Sequence, residues 1–113
     1  MMKSNDTLKI NKTLYNNVGM AIRAGKVFVG EKLQEKMNFK KVYLVVVAKD
    51  ASKSFIESIP QGIKVIEFDN QTNLGLLVNR PKINGFGIGD SNLAKLISKT
   101  LMTMKGEING EKE

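Results

Sequence analysis

Val42-Tyr43-Leu44-Val45-Val46-Val47-Ala48, followed by Lys49-Asp50-Ala51-Ser52, holds the longest apolar run of this 113-residue chain. A membrane span needs about 20 apolar residues, so a run this short belongs inside a folded domain. It is too apolar and too β-branched for a strand with one wet face. It predicts a central strand covered on both faces.

Upstream of this run, Ile10, Leu14, Val18 and Ile22 recur every four residues, with Ala21 on the same stripe. That spacing predicts a helix over Thr7–Ala24, stopped by Gly25. Val27-Phe28-Val29 is a short strand, and Gly30 opens a short helix whose core side holds Leu33 and Met37. Downstream, Asp50, Ala51 and Ser52 begin a helix carrying Phe55, Ile56 and Ile59, ended by Pro60 and Gly62. Ile63–Phe68 is a strand. Asp69 or Asn70 caps a helix with Leu74, Leu77 and Val78, and Pro81 blocks its continuation. Ile83–Ile88 is a glycine-rich strand. Asp90 or Ser91 caps a final helix with Leu93, Leu96, Ile97, Leu101 and Met104.

The element order is αβαβαβαβα. Turn or cap positions at Gly30, Asp50, Asp69 and Asp90 fall about twenty residues apart, the length of one strand plus one helix. Such alternation predicts a largely parallel sheet between helical layers. No linker is visible. One domain is expected over residues 1–105, with 106–113 a polar, disordered tail.

Hydrophobic residues make up 42% of the chain and charged residues 26%, the balance of a globular protein and not of a disordered one. The chain has no cysteine and no histidine, which excludes disulfide scaffolds, zinc sites, thiol nucleophiles and Ser-His-Asp chemistry. No cofactor is implied. The N-terminus is polar over Met1–Thr7 with no apolar run behind it, so no signal peptide, no membrane contact and a cytoplasmic location are expected.

Eighteen Lys and Arg against eleven Asp and Glu give a net charge of +7. Ten of the basic and four of the acidic residues lie in 1–50, so the excess is concentrated in the first half. That asymmetry points to one side of the molecule meeting a polyanion. Gly19 with Gly25-Lys26 is not a phosphate loop, because five residues separate the glycines and Val27 follows the lysine. Gly85-Phe86-Gly87 matches only a fragment of an RNA-recognition strand; its glycines are better explained by close approach of a helix or a neighbouring backbone. Asp50, Asp69 and Asp90 each follow a strand, where three carboxylates could hold Mg²⁺, but each also precedes a helix, and capping accounts for all three.

What remains is Arg23-Ala24-Gly25-Lys26-Val27-Phe28-Val29-Gly30-Glu31-Lys32-Leu33-Gln34-Glu35-Lys36. A strand ends at a glycine and a helix begins, exposing unpaired N–H groups with partial positive charge. Gly30 would let a phosphodiester backbone approach closely. Lys32 and Lys36, four apart, share a helix face, and Lys26, Lys40 and Lys41 can flank it. The same residues also describe a solvated helix with Glu31 and Glu35 balancing the lysines.

Val18-Gly19-Met20-Ala21-Ile22-Arg23-Ala24-Gly25-Lys26-Val27, then Gly30-Glu31-Lys32-Leu33 and Lys36, resembles the YlxQ-like bacterial ribosomal proteins. These belong to the kink-turn RNA-binding ribosomal protein superfamily (the L-seven-Ae and L-thirty-e type). Asp50-Ala51-Ser52, Leu74-Gly75 and the closing helix follow in the matching order, so the resemblance covers about residues 14–101. It implies an α/β fold, a three-layer α/β/α sandwich with a four-stranded mixed sheet. It also implies RNA binding, with Gly30, Glu31, Lys32, Leu33 and Lys36 at the contact. Arg23 and Lys26 would widen the basic patch, and Arg80 and Lys82 would add a second contact from the loop after Val78.

In the strong kink-turn binders that glycine is followed by an Asn and a Glu that read tandem G·A pairs. Lys32 stands at the Asn position and Leu33 at the Glu position, while Lys36 matches the family's phosphate-contacting lysine. The later loop, apolar in those binders, is Asn79-Arg80-Pro81-Lys82 here, with Asn79 replacing a usual glycine. The segment 54–62 is several residues shorter than usual. The resemblance therefore implies a monomeric, non-enzymatic protein of ribosomal or ribosome-related RNA that holds its RNA by phosphates and shape. The competing readings are a Mg²⁺ enzyme using Asp50, Asp69 and Asp90, and a module that docks on an acidic protein.

Overall fold

The structure, a computed structural model, describes residues 2–110, with side chains described over 12–104. Among the described residues nine elements alternate: α1 (Met2–Arg23), β1 (Val27–Phe28), α2 (Gly30–Asn38), β2 (Leu44–Val47), α3 (Lys53–Glu57), β3 (Lys64–Glu67), α4 (Gln71–Leu77), β4 (Gly85–Ile88) and α5 (Ser91–Gly110). Of the tail expected at 106–113, residues 106–110 form the end of α5 and 111–113 lie outside the described residues. Among the described residues no helix is long and apolar enough to cross a membrane.

The four strands form one sheet in the order β1-β4-β2-β3. The fully buried Leu44–Val47 run is central, as its composition predicts. The expectation of a largely parallel sheet is corrected. Only β2 and β3 are parallel, whereas β4 runs antiparallel to both β1 and β2. The cause is the segment after α4. It doubles back along its own helix, with Arg80 N–H donating to Gly75 O at 2.8 Å and Ile83 N–H to Gln71 O at 3.2 Å. β4 therefore starts at the end of the sheet where β2 and β3 finish.

Alternate side chains of β2 feed two cores. Leu44, Val46 and Ala48 join Ile66, Phe86 and Ile88 beneath α1, α4 and α5. Val45 and Val47 join Leu33, Met37 and Val42 beneath α2, with Phe55 of α3 packed against them. The fold is a three-layer α/β/α sandwich. The glycines of β4 explain themselves here. Phe86 fills the first core, while a Cβ on Gly87 would collide with Leu33 Cδ1, and one on Gly85 would stand 2.9 Å from the Phe55 ring. Gly-Phe-Gly is thus a packing device that lets two helices sit close to one strand.

Candidate nucleic-acid interface

One end of the sheet collects the end of β1, the ends of β2 and β3, and the start of β4. Three loops meet there on a shared set of hydrogen bonds. Gln71 N–H donates to Asp50 Oδ1 at 2.9 Å, and Gln71 Nε2 donates to Asp50 O at 2.7 Å and to Asn84 Oδ1 at 3.1 Å. Asn84 Oδ1 also accepts from Ser52 N–H at 2.9 Å.

The three aspartates do not converge. Asp50 reaches across 21 positions to the first residue of α4. Asp69 accepts from Asn70 N–H and Asn73 Nδ2, both at 2.8 Å. Asp90 caps α5 through Leu93 N–H at 2.8 Å. Because β4 is antiparallel, Asp90 stands at the opposite end of the sheet from the other two. Among the described residues no three carboxylate, His or Cys groups are placed to hold a metal ion.

Of the helices that follow strands, α3 is capped by Ser52, α4 by Asn70 and α5 by Asp90. α2 is different. Its N-cap is Val29, which offers no side-chain hydrogen bond. The N–H groups of its first turn therefore point outward without a side-chain acceptor. Gly30, at φ +59°, opens the helix, and a Cβ built there would meet nothing within 4 Å. This glycine is required by its backbone conformation and leaves open space in front of the helix start.

Around that turn, Glu31 and Lys32 are exposed. Glu31 can only accept hydrogen bonds, so it is no phosphate ligand. Lys36 is half-buried, its Nζ held 5.3 Å from the centre of the Phe28 ring. Leu33 is fully buried in the second core. The placement of Leu33 at the RNA contact is therefore corrected: Leu33 fixes the helix to the sheet, and no base edge can reach it from solvent.

The loop 79–82 carries Arg80 and Lys82, both exposed. Gly75 holds it, because a Cβ at that position would collide with Arg80 O and stand 2.9 Å from Lys82 N. Asn79 adopts φ +61°, the left-handed conformation that Asn tolerates better than most residues. Arg23 joins this loop and not α2: with Asn79, Tyr15 and Leu77 it lines a groove of about 220 Å³ between α1 and α4. Lys26 is separated from the Gly30 turn. Its carbonyl accepts from Gly89 N–H at 2.8 Å, at the far end of β1 beside the start of β2. The expectation that Lys26 widens the patch around Gly30 is corrected for that reason.

Sequence reasoning missed Gln71, Asn84 and Gly75 as organisers of this end. Gln71 and Asn84 carry no local signal, since their partners lie in other loops. Gly75 had one: a glycine inside a helix pattern lowers helix stability and often marks a close approach.

No family model matches this chain, and no curated protein matches it. Solved structures do. A protein of unknown function from Bacillus halodurans superposes with a TM-score of 0.67 at 20% identity, covering 77% of this chain and 94% of that one. The Giardia lamblia 15.5kD RNA binding protein superposes with a TM-score of 0.60 at 20% identity, covering 87% of this chain and 89% of that one. These likenesses establish the fold over most of the chain.

Proposed function

We propose that the chain is a non-enzymatic, monomeric, cytoplasmic RNA-binding protein that grips a structured RNA backbone. The carrying observation is the helix α2, among the described residues the one strand-following helix without a side-chain cap, which opens at a glycine with free space before it. A phosphate in that space receives hydrogen bonds from the first-turn N–H groups and the field of the helix dipole. Lys32 adds a charge beside it, Lys36 a second one turn later, and Arg80 and Lys82 a third and fourth from the neighbouring loop. An RNA-binding protein of the same fold in Giardia lamblia supports this reading. The partner we infer is ribosomal or kink-turn-like RNA.

With Leu33 buried, base reading by a carboxylate at that position is absent, so the grip is one of charge and shape. The test is a gel-shift titration of a kink-turn RNA, without single-stranded tails, over a range of salt. Log affinity should fall linearly with log salt, by about 0.9 per phosphate contacted. Lys32→Glu should weaken binding several-fold more than Lys12→Glu, at an exposed lysine of α1 outside the proposed contacts. A flat salt response, or equal losses from the two variants, would remove the proposal.

A further inference from the structure

At the opposite end of the sheet from Gly30, α5 overhangs the starts of β2 and β3. Ala94, Ile97 and Leu101 of α5 go into the core. The next stripe, Ser91, Lys95, Ser98 and Met102, shares a second face by helical spacing. This face does not close onto the sheet. It lines a cavity of about 440 Å³ together with Tyr43, Lys64 and Lys99. Small side chains make the space: Ala94 and Ser98 are both buried and both line it, where larger residues would fill it.

Its chemistry is one-sided. Among the described residues, three lysines line the cavity and no carboxylate does. Lys64 comes from β3 and Lys95 and Lys99 from α5, so the charges belong to two separate elements around one hollow and not to a single solvated helix face. Beside them Tyr43 is 52% exposed, an aromatic ring on the surface next to the apolar Met102, also 52% exposed. Cations that can hold successive phosphates beside an aromatic face are the combination that binds single-stranded nucleic acid, because every base has a face to stack and every linkage a charge. An acidic protein segment would use the lysines and leave the ring without a role.

We propose that this groove is a second RNA site, for a single-stranded segment, with a base stacked on Tyr43 and its flanking phosphates on Lys64, Lys95 and Lys99. It extends the RNA-binding reading above, and rests on that reading only for the choice of RNA over DNA. The protein then holds two parts of one RNA at the two ends of its sheet.

The experiment uses a single-stranded RNA of about eight nucleotides, within the usual site size. The chain has two tyrosines and no tryptophan, so in a Tyr15→Phe background the emission reports Tyr43 alone. Adding the oligonucleotide should quench that emission. Tyr43→Ala, and separately Lys64→Gln with Lys95→Gln and Lys99→Gln, should each weaken binding by about tenfold or more. Both sets alter exposed residues, and melting temperatures should confirm that they fold. Lys12→Glu, at an exposed lysine of α1 outside both clusters, should leave oligonucleotide binding unchanged. Undiminished kink-turn binding by Lys32→Glu with Lys36→Glu would overturn the Gly30 site and leave this one standing. Absence of quenching, unchanged affinity in the lysine triple variant, or equal competition by a glutamate peptide of similar length would overturn the groove as an RNA site.

Discussion

Leu33 occupies the space that the missing side chain of Gly87 leaves: a Cβ on Gly87 would collide with Leu33 Cδ1. The helix that presents the candidate RNA contact is thereby seated on the strand by a residue pair 54 positions apart in sequence. Gly87→Ala should lift α2 and destabilise the protein by about 1–3 kcal/mol. Leu33→Ala alone should cost about 2–5 kcal/mol. The double variant should cost clearly less than the sum, since each change relieves or removes what the other disturbs. Urea denaturation of the four proteins measures this; strict additivity would mean that the two residues do not share the space.

The same burial decides what happens on restoring the strong binders' residues. Lys32→Asn with Leu33→Glu places a carboxylate in a dry core with no partner. The variant should lose roughly 4 kcal/mol and should not gain discrimination for a kink-turn. Lys32→Asn alone should fold normally. Thermal melting with gel shifts on matched RNAs separates the outcomes, and a stable double variant with sharpened discrimination would place Leu33 on the surface.

The loop that carries Arg80 and Lys82 depends on Gly75. A methyl group there must push Arg80 O and Lys82 N away, and both are backbone atoms that have little room to give. Gly75→Ala should therefore cost about 1–3 kcal/mol and weaken RNA binding as well. The neighbouring Leu76 is 62% exposed, and Leu76→Ala should do neither. Denaturation and gel-shift measurements on the two variants form the comparison.

Gly30 separates conformation from contact. At φ +59° any other residue is strained, yet nothing stands in front of it. Gly30→Ala should cost about 1–2 kcal/mol in stability. Its effect on RNA affinity should be larger than its stability loss explains, because the methyl enters the space in which we propose that the phosphate sits. Affinity measured well below the melting temperature tests this, and an unaltered affinity would put the RNA elsewhere.

Much of the architecture was legible in local patterns. The Val42–Ala48 run announced a central strand. Leu33 and Met37 announced the buried side of α2. Asn70 and Asp90 cap the helices they precede, as short polar residues do. The rest is long-range and left no local mark. The reversal of β4 depends on how segment 79–84 packs on α4. Asp50 sits where a cap for its own helix is expected, yet its carboxylate serves a helix 21 residues on, while Ser52 does the local capping. Lys26 is four residues from Gly30, and charge counting placed them together; a strand between them puts them at opposite ends of the sheet. The resemblance placed Leu33 by alignment, whereas helical spacing placed it in the core, and the spacing was right.

Gln71 uses its amide N–H, its carboxamide and its carbonyl on two different loops, through Asp50 in one and Ile83 and Asn84 in the other. These bonds tie both loops to the start of α4. A partner docking at this end would meet a surface already assembled, so little ordering entropy would oppose association, and complex formation should proceed in a single kinetic phase. Sequence change is constrained in the same way: Asp50, Gln71 and Asn84 form a unit whose members can be replaced together more cheaply than one at a time.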